Sequence, residues 1–348
     1  MSTDTAPDRI TQAQPSSSRL RSSRIVGWDG AIVLVTVLVI AVAALTVEHF
    51  GTSRNAGFLI LDLTPVLLLA LPMTLIIVTG EIDLSVASTV GLTSSAMGVM
   101  WNNGLPLETI MPLCVVIGAV LGAVNGILVT ALGLPSLAVT IGTLALYRGL
   151  AFVLLGDTAV ADFPRDFSSW TIGNLGTSSV PNVLIPLIVI SGLFAAVLHA
   201  TPVGRAVFAA GANPIAAAFA GIPVGRLKFW LYVTSGAVAG LVGVFWTLRY
   251  SSARADNASG LELTVVAAVL LGGVSIFGGK GTLPGVVAGV VLLSSLQNAL
   301  RLASVSTEAL TVVTGSLLIV SVLAPNVVTS ARAALVRRRA RLRTTPTS

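Results

Sequence analysis

Phe58-Leu-Ile-Leu-Asp-Leu-Thr-Pro-Val-Leu-Leu-Leu-Ala-Leu-Pro-Met-Thr-Leu-Ile-Ile-Val-Thr79 carries a single charge, Asp62, in a run otherwise built from apolar and small residues. About 20 residues of helix cross about 30 Å of hydrocarbon, so this stretch has the length and chemistry of a membrane span. Comparable runs lie near 30–47, 84–101, 110–132, 136–156, 181–200, 229–249, 262–277, 283–301 and 309–328. Across the chain 54% of residues are hydrophobic and 10% charged, whereas a soluble domain carries about 25% charged residues. The expected fold is therefore all-α: a polytopic membrane protein of about ten transmembrane helices forming one unit.

Outside the apolar runs the chain is basic. Its Lys and Arg number twenty. On alternate sides of ten crossings fourteen fall together, among them Arg205, Arg226, Lys228 and Lys280, and six fall opposite: Arg54, Arg148, Arg165, Arg249, Arg254 and Arg301. The richer side should be cytoplasmic, which puts both termini there. Residues 1–29 lack the apolar core and cleavage site of a secretory signal and read as a disordered cytoplasmic tail. Residues 30–330 form the transmembrane domain, and the basic tail 331–348 reads as a membrane-surface anchor. Because the charge flanks apolar runs, a nucleic-acid partner is not expected.

Catalytic and metal chemistry finds little support. Cys114 is the only cysteine, and His49 and His199 stand far apart without neighbouring ligands, so no metal site is expected. The segment 272–281 holds Gly272, Gly273, Gly278, Gly279 and Gly281 around Phe277 and Lys280, a density that predicts a broken helix or tight turn. It fails as a phosphate-binding loop, because Val274 stands where the first glycine is required and Gly281 follows the lysine. No enzyme activity is expected.

Polar residues inside the apolar runs are the candidates for function. Gly118, Gly122 and Gly126 stand four residues apart, spacing that lets helix backbones approach closely. Ser88, Thr89, Thr93 and Asn125 either serve that packing or line a polar pathway, since an amide or hydroxyl facing lipid is costly. Glu81 and Asp83 stand between two runs, where a carboxylate caps the next helix or faces a gated route. Asp62 and Glu262 lie near the outer ends of runs, within reach of water. The inside loop 201–228 contains Pro214 to Ala220, which begins after Asn213 and stops at Gly221, marking a short helix too small to stand alone in water.

Three ordered strings carry a resemblance. They are Thr79-Gly-Glu-Ile-Asp-Leu-Ser85, Asn125-Gly-Ile-Leu-Val-Thr130 with the following Leu134 to Ala151, and Ala267-Ala-Val-Leu-Leu-Gly-Gly-Val-Ser-Ile-Phe-Gly-Gly-Lys-Gly-Thr282. Over roughly residues 55–328 the chain resembles the permease subunit of bacterial ABC sugar importers, in the subfamily of ribose, rhamnose and autoinducer-2 permeases. The resemblance implies a cytoplasmic (inner) membrane protein that pairs with a second permease subunit, as a homodimer or heterodimer. It implies a separate ABC ATPase subunit that binds ATP and Mg, and a periplasmic or lipid-anchored solute-binding protein. Gly211, Asn213, Ala217 and Gly221 fall in the part similar to the family's coupling helix, although Ala212, Pro214 and Ala216 are uncharged where polar residues are usual. Arg54, Arg165 and Arg254 are the outward charges expected to meet the binding protein. A branched-chain amino-acid permease is the closest alternative, and an ion-coupled secondary transporter the next.

Overall fold

A computed structural model describes residues 19–321 and Leu323. Among the described residues thirteen helices follow one another: α1 (Arg19–Thr46), α2 (Ser53–Val78), α3 (Val86–Asn102), α4 (Leu107–Thr130), α5 (Ser136–Leu155), α6 (Arg165–Ile172) and α7 (Leu184–Ala200), then α8 (Pro202–Ala212), α9 (Pro214–Phe219), α10 (Val224–Tyr250), α11 (Leu261–Leu271), α12 (Leu283–Leu302) and α13 (Thr307–Ser321). Among the described residues β structure is limited to two isolated bridges. Each of the ten apolar runs overlaps a helix among the described residues, although the run 262–277 leaves α11 at Leu271 and the run 309–328 is described only in part. Six helices are long and apolar enough to cross a membrane, and the α7–α8 pair, bent by 66°, makes a seventh if taken as one span. The protein is thus a multi-pass membrane protein.

Burial is inverted relative to a soluble bundle. Leu34, Leu45, Val153 and Leu193 project outward from α1, α5 and α7, exposed apolar side chains suited to lipid. The centre is filled by α2, where Leu69, Leu71 and Met73 are fully buried, and by α3, enclosed by α4, α5 and α10. α10 and α4 make the most extensive helix pair because glycines face each other. A Cβ on Gly118 would strike the Gly236 carbonyl, one on Gly122 the Tyr232 carbonyl, and one on Gly240 the Cys114 carbonyl. The four-residue spacing therefore serves close backbone packing.

Two boundaries differ from the sequence reading. Helix α1 begins at Arg19, inside the segment expected to be a tail, because Trp28 and Asp29 find partners: Trp28 Nε1 donates to the Leu271 carbonyl at 3.3 Å and Thr282 Oγ1 donates to Asp29 at 2.9 Å. Loop 201–228 holds two helices rather than one. Thr201 caps α8 ahead of Pro202, and Asn213 caps α9 by accepting from Ala216 N–H at 3.0 Å, both ordinary start signals. Residues 1–18 and the basic tail 331–348 lie outside the described residues.

Candidate functional site

Between α2 and α3 the chain leaves helical geometry from Thr79 to Ser85. Gly80 has φ +83°, which breaks the α2 ladder and frees backbone groups that buried surroundings must satisfy. Ser136 Oγ accepts from the Ile82 N–H, and the Ile82 carbonyl accepts from Thr140 and Tyr232, each at 3.3 Å. Residues of α5 and α10 thus hold the break open.

Asp83 is the centre of this link. Its side chain is buried, accepting from Ser85 N–H at 3.1 Å, Ser85 Oγ at 2.7 Å and, from α10, Ser235 Oγ at 3.0 Å. It therefore supports the start of α3 and ties it to α10. Asn125 Nδ2 donates to Ser85 Oγ at 2.8 Å, bringing α4 into the same cluster, and its Oδ1 is buried with no hydrogen-bond partner among the described residues. A buried amide oxygen in that condition is the kind of atom a passing hydroxyl donor would satisfy.

The three hydroxyl candidates on α3 lie in the same seam and are all buried. Ser88 donates to the Ser85 carbonyl at 2.8 Å, and Thr93 to the Thr89 carbonyl at 2.8 Å, with Thr93 wedged against Gly243 of α10. These are local back-bonds, so the Ser88 and Thr93 hydroxyl protons are already held by their own helix. Ser136, Thr140, Tyr232 and Ser235 do not stand out from sequence. The available signal was a hydroxyl within an apolar run beside a glycine, as in Ser235-Gly236.

Within the same break, Glu81 pairs with Lys228 near the start of α10. Both side chains are largely buried, at 17% and 16% exposure. Gly211, near the end of α8, touches the same place: a Cβ there would strike the Val78 carbonyl and lie 2.6 Å from the Gly279 nitrogen. Gly279 N–H in turn donates to the Val78 carbonyl at 2.8 Å. The end of α2, the end of α8 and the glycine-rich segment, an open turn between α11 and α12, therefore meet backbone to backbone. Asn213 caps α9, Ala217 is its buried contact, and Gly221 ends the segment at φ +84°.

At the opposite end the charges are also engaged. Asp62, placed by the sequence within reach of water, is partly exposed at 19% and also pairs with Arg249 of α10, with Arg301 of α12 at 3.6 Å. Arg148 of α5 donates to the Ala255 and Asn257 carbonyls at 2.6 and 2.9 Å, pinning the 251–260 turn over α3. Asn257 Nδ2 donates to Ser94 Oγ at 2.8 Å, which contacts Thr247 Oγ1 at 2.7 Å. Arg54, Arg165 and Arg254 are exposed. Arg165 and Arg254 sit on segments joined by the Val160–Ala253 bridge, whereas Arg54 lies over Phe58 at the start of α2. Arg254 hydrogen-bonds Asp256 and holds its carboxyl below the usual carboxylate range, so this pair offers little net charge to a partner.

A family model described as "Branched-chain amino acid transport system / permease component" matches residues 55–322. The autoinducer 2 import system permease protein of Yersinia enterocolitica is 32% identical over 302 residues, covering 85% of this chain and 91% of that protein. The protein of the same name from Photorhabdus temperata is 30% identical over 302 residues, with 85% and 90% covered. That of Escherichia coli K12 is 32% identical over 308 residues, with 86% and 92% covered. No solved structure matches.

Proposed function

This chain belongs to the family of branched-chain amino acid transport system permease components, and from that membership we propose that it is the membrane-spanning subunit of an ATP-driven importer of a sugar or sugar-like solute. The solute class follows its relatives, which are named for autoinducer 2 import, rather than the amino acids of the family description. Ten crossings with both termini cytoplasmic fit the ten apolar runs and the basic bias of one side. In this reading the membrane is the bacterial inner membrane, α9 seats in a separate ATPase subunit, and a binding protein delivers solute near Arg54, Arg165 and Arg254. A second permease subunit completes the passage.

One observation supports the coupling most directly: the end of α8 rests on the break between α2 and α3 through Gly211 and Val78. Closure of the ATPase pair would displace α9 and α8 as a rigid body, and the Glu81–Lys228 pair would carry that shift into the link that Asp83 ties to α10. Rearrangement there would turn Asn125 and the α3 hydroxyls toward the solute. Gly211→Val is expected to abolish ATP-driven uptake while the chain still inserts, measured by uptake into proteoliposomes alongside membrane quantitation. Asn125→Ala should lower uptake about tenfold, the scale of one buried hydrogen bond; normal uptake at normal insertion removes Asn125 from the pathway.

The decisive assay reconstitutes the chain with the ATPase and binding protein encoded beside it and screens pentoses, deoxyhexoses, autoinducer 2 and branched-chain amino acids for stimulated hydrolysis. Stimulation by leucine alone would replace the solute class. Uptake persisting without any ATPase would overturn the reading.

A further inference from the structure

The glycine-rich segment has no role in the pathway described above, yet its turn is closed by its own backbone. Ser275 N–H donates to the Lys280 carbonyl at 3.0 Å and Gly278 N–H to the Ser275 carbonyl at 2.9 Å, closing the loop on itself. Gly278 and Gly279 have φ +79° and +70°, a reversal that side chains rarely permit. At the tip Phe277 is 81% exposed, its N–H turned inward to Ser275 Oγ at 3.3 Å. So ordered a turn ending in a bare aromatic ring is a prepared contact rather than a slack connection.

Its position identifies what it contacts. Gly279 packs on Ala212, with 3.0 Å from a Cβ built there to the Ala212 Cα, and on the Val78 carbonyl. Asn213 follows immediately and opens α9, whose Ile215 and Phe219 are 69% and 90% exposed. The turn and α9 are therefore fused at their bases and present three apolar side chains on adjoining elements. Lys280 in the turn and Arg226 after α9 are exposed as well, so the matching surface is apolar with an acidic rim. A family whose members are components of transport systems supplies such partners.

We propose that the turn Ser275–Gly281 is a second docking finger for the ATPase subunit, with Phe277 inserted beside the α9 contact, so that one partner grips both sides of the Gly211–Val78–Gly279 junction. The proposal rests on the reading of α9 as that subunit's seat. A two-point grip explains why the turn is joined to α8 by backbone rather than by mobile side chains: a push on either point moves the same junction.

The test places a benzophenone maleimide on Phe277→Cys, Phe219→Cys or Val153→Cys in proteoliposomes holding the neighbouring ATPase; native Cys114 is buried and free. Photolysis is expected to join both the 277 and 219 positions to the ATPase and the lipid-facing 153 position to lipid only. Phe277→Ala should weaken ATPase binding about tenfold, as for an interface anchor. Labelling of the ATPase from 219 with lipid or no adduct from 277 overturns the finger and leaves the coupling reading intact. No ATPase adduct from either position overturns both.

Discussion

Valine at Gly122 is expected to cost about 3 kcal/mol or more, the upper range for overpacking a tight interior, and to leave little folded protein in detergent. The added Cβ would collide with the Tyr232 carbonyl and sit 3.1 Å from the Gly236 Cα. Backbone cannot rotate aside as a side chain does, so α4 and α10 must separate. Separation also removes the Asn125 amide from Ser85 and draws Ser235 of α10 away from Asp83. Thermal unfolding monitored by light scattering gives the comparison, with Gly142→Ala of α5 as control. Nothing lies within 4 Å of a Cβ at Gly142, so that change should be neutral or raise the midpoint slightly through helix propensity. Equal stability of the two variants would show that the α4–α10 approach is looser than described.

The second large effect concerns Glu81 and Lys228. Glu81→Ala or Lys228→Ala leaves its partner charged and largely buried, a loss of about 3–5 kcal/mol for a pair broken on one side. Uptake should fall below detection in either single variant. Glu81→Lys combined with Lys228→Glu should recover a measurable part, because the attraction is restored with its direction reversed. If the reversed pair transports no better than the singles while inserting normally, the ion pair is not what links α10 to the α2–α3 break. A double-mutant cycle on both ATP hydrolysis and solute uptake separates the two roles: a purely structural pair lowers them together, while a coupling pair lowers uptake per ATP.

The site was legible in part. Glu81, Asp83 and Asn125 stand out in sequence because polar groups are expensive in an apolar run, and all three fall on the α2–α3 link or its neighbour. Ser88, Thr89 and Thr93 stand out for the same reason, yet Ser88 and Thr93 bond to their own helix in this state. Ser235 and Tyr232 were passed over because a lone hydroxyl near a glycine in α10 resembles ordinary packing. The position of Asp62 near the end of its run implies access to water, which it keeps in part, but does not reveal the two arginines it meets.

Hydropathy and run length are local properties, and they sufficed to determine that the chain crosses a membrane many times, roughly where its long apolar helices lie, and that the glycine-rich segment breaks the helical pattern. Only the tertiary structure decided which groups meet. Ser235 reaches Asp83 from 152 positions away and Lys228 reaches Glu81 from 147, separations at which spacing carries no information. What selects those pairs is the close approach of α4 to α10 and of α8 to the end of α2, permitted by glycines whose missing side chains acquire meaning only when the opposing backbone is in place.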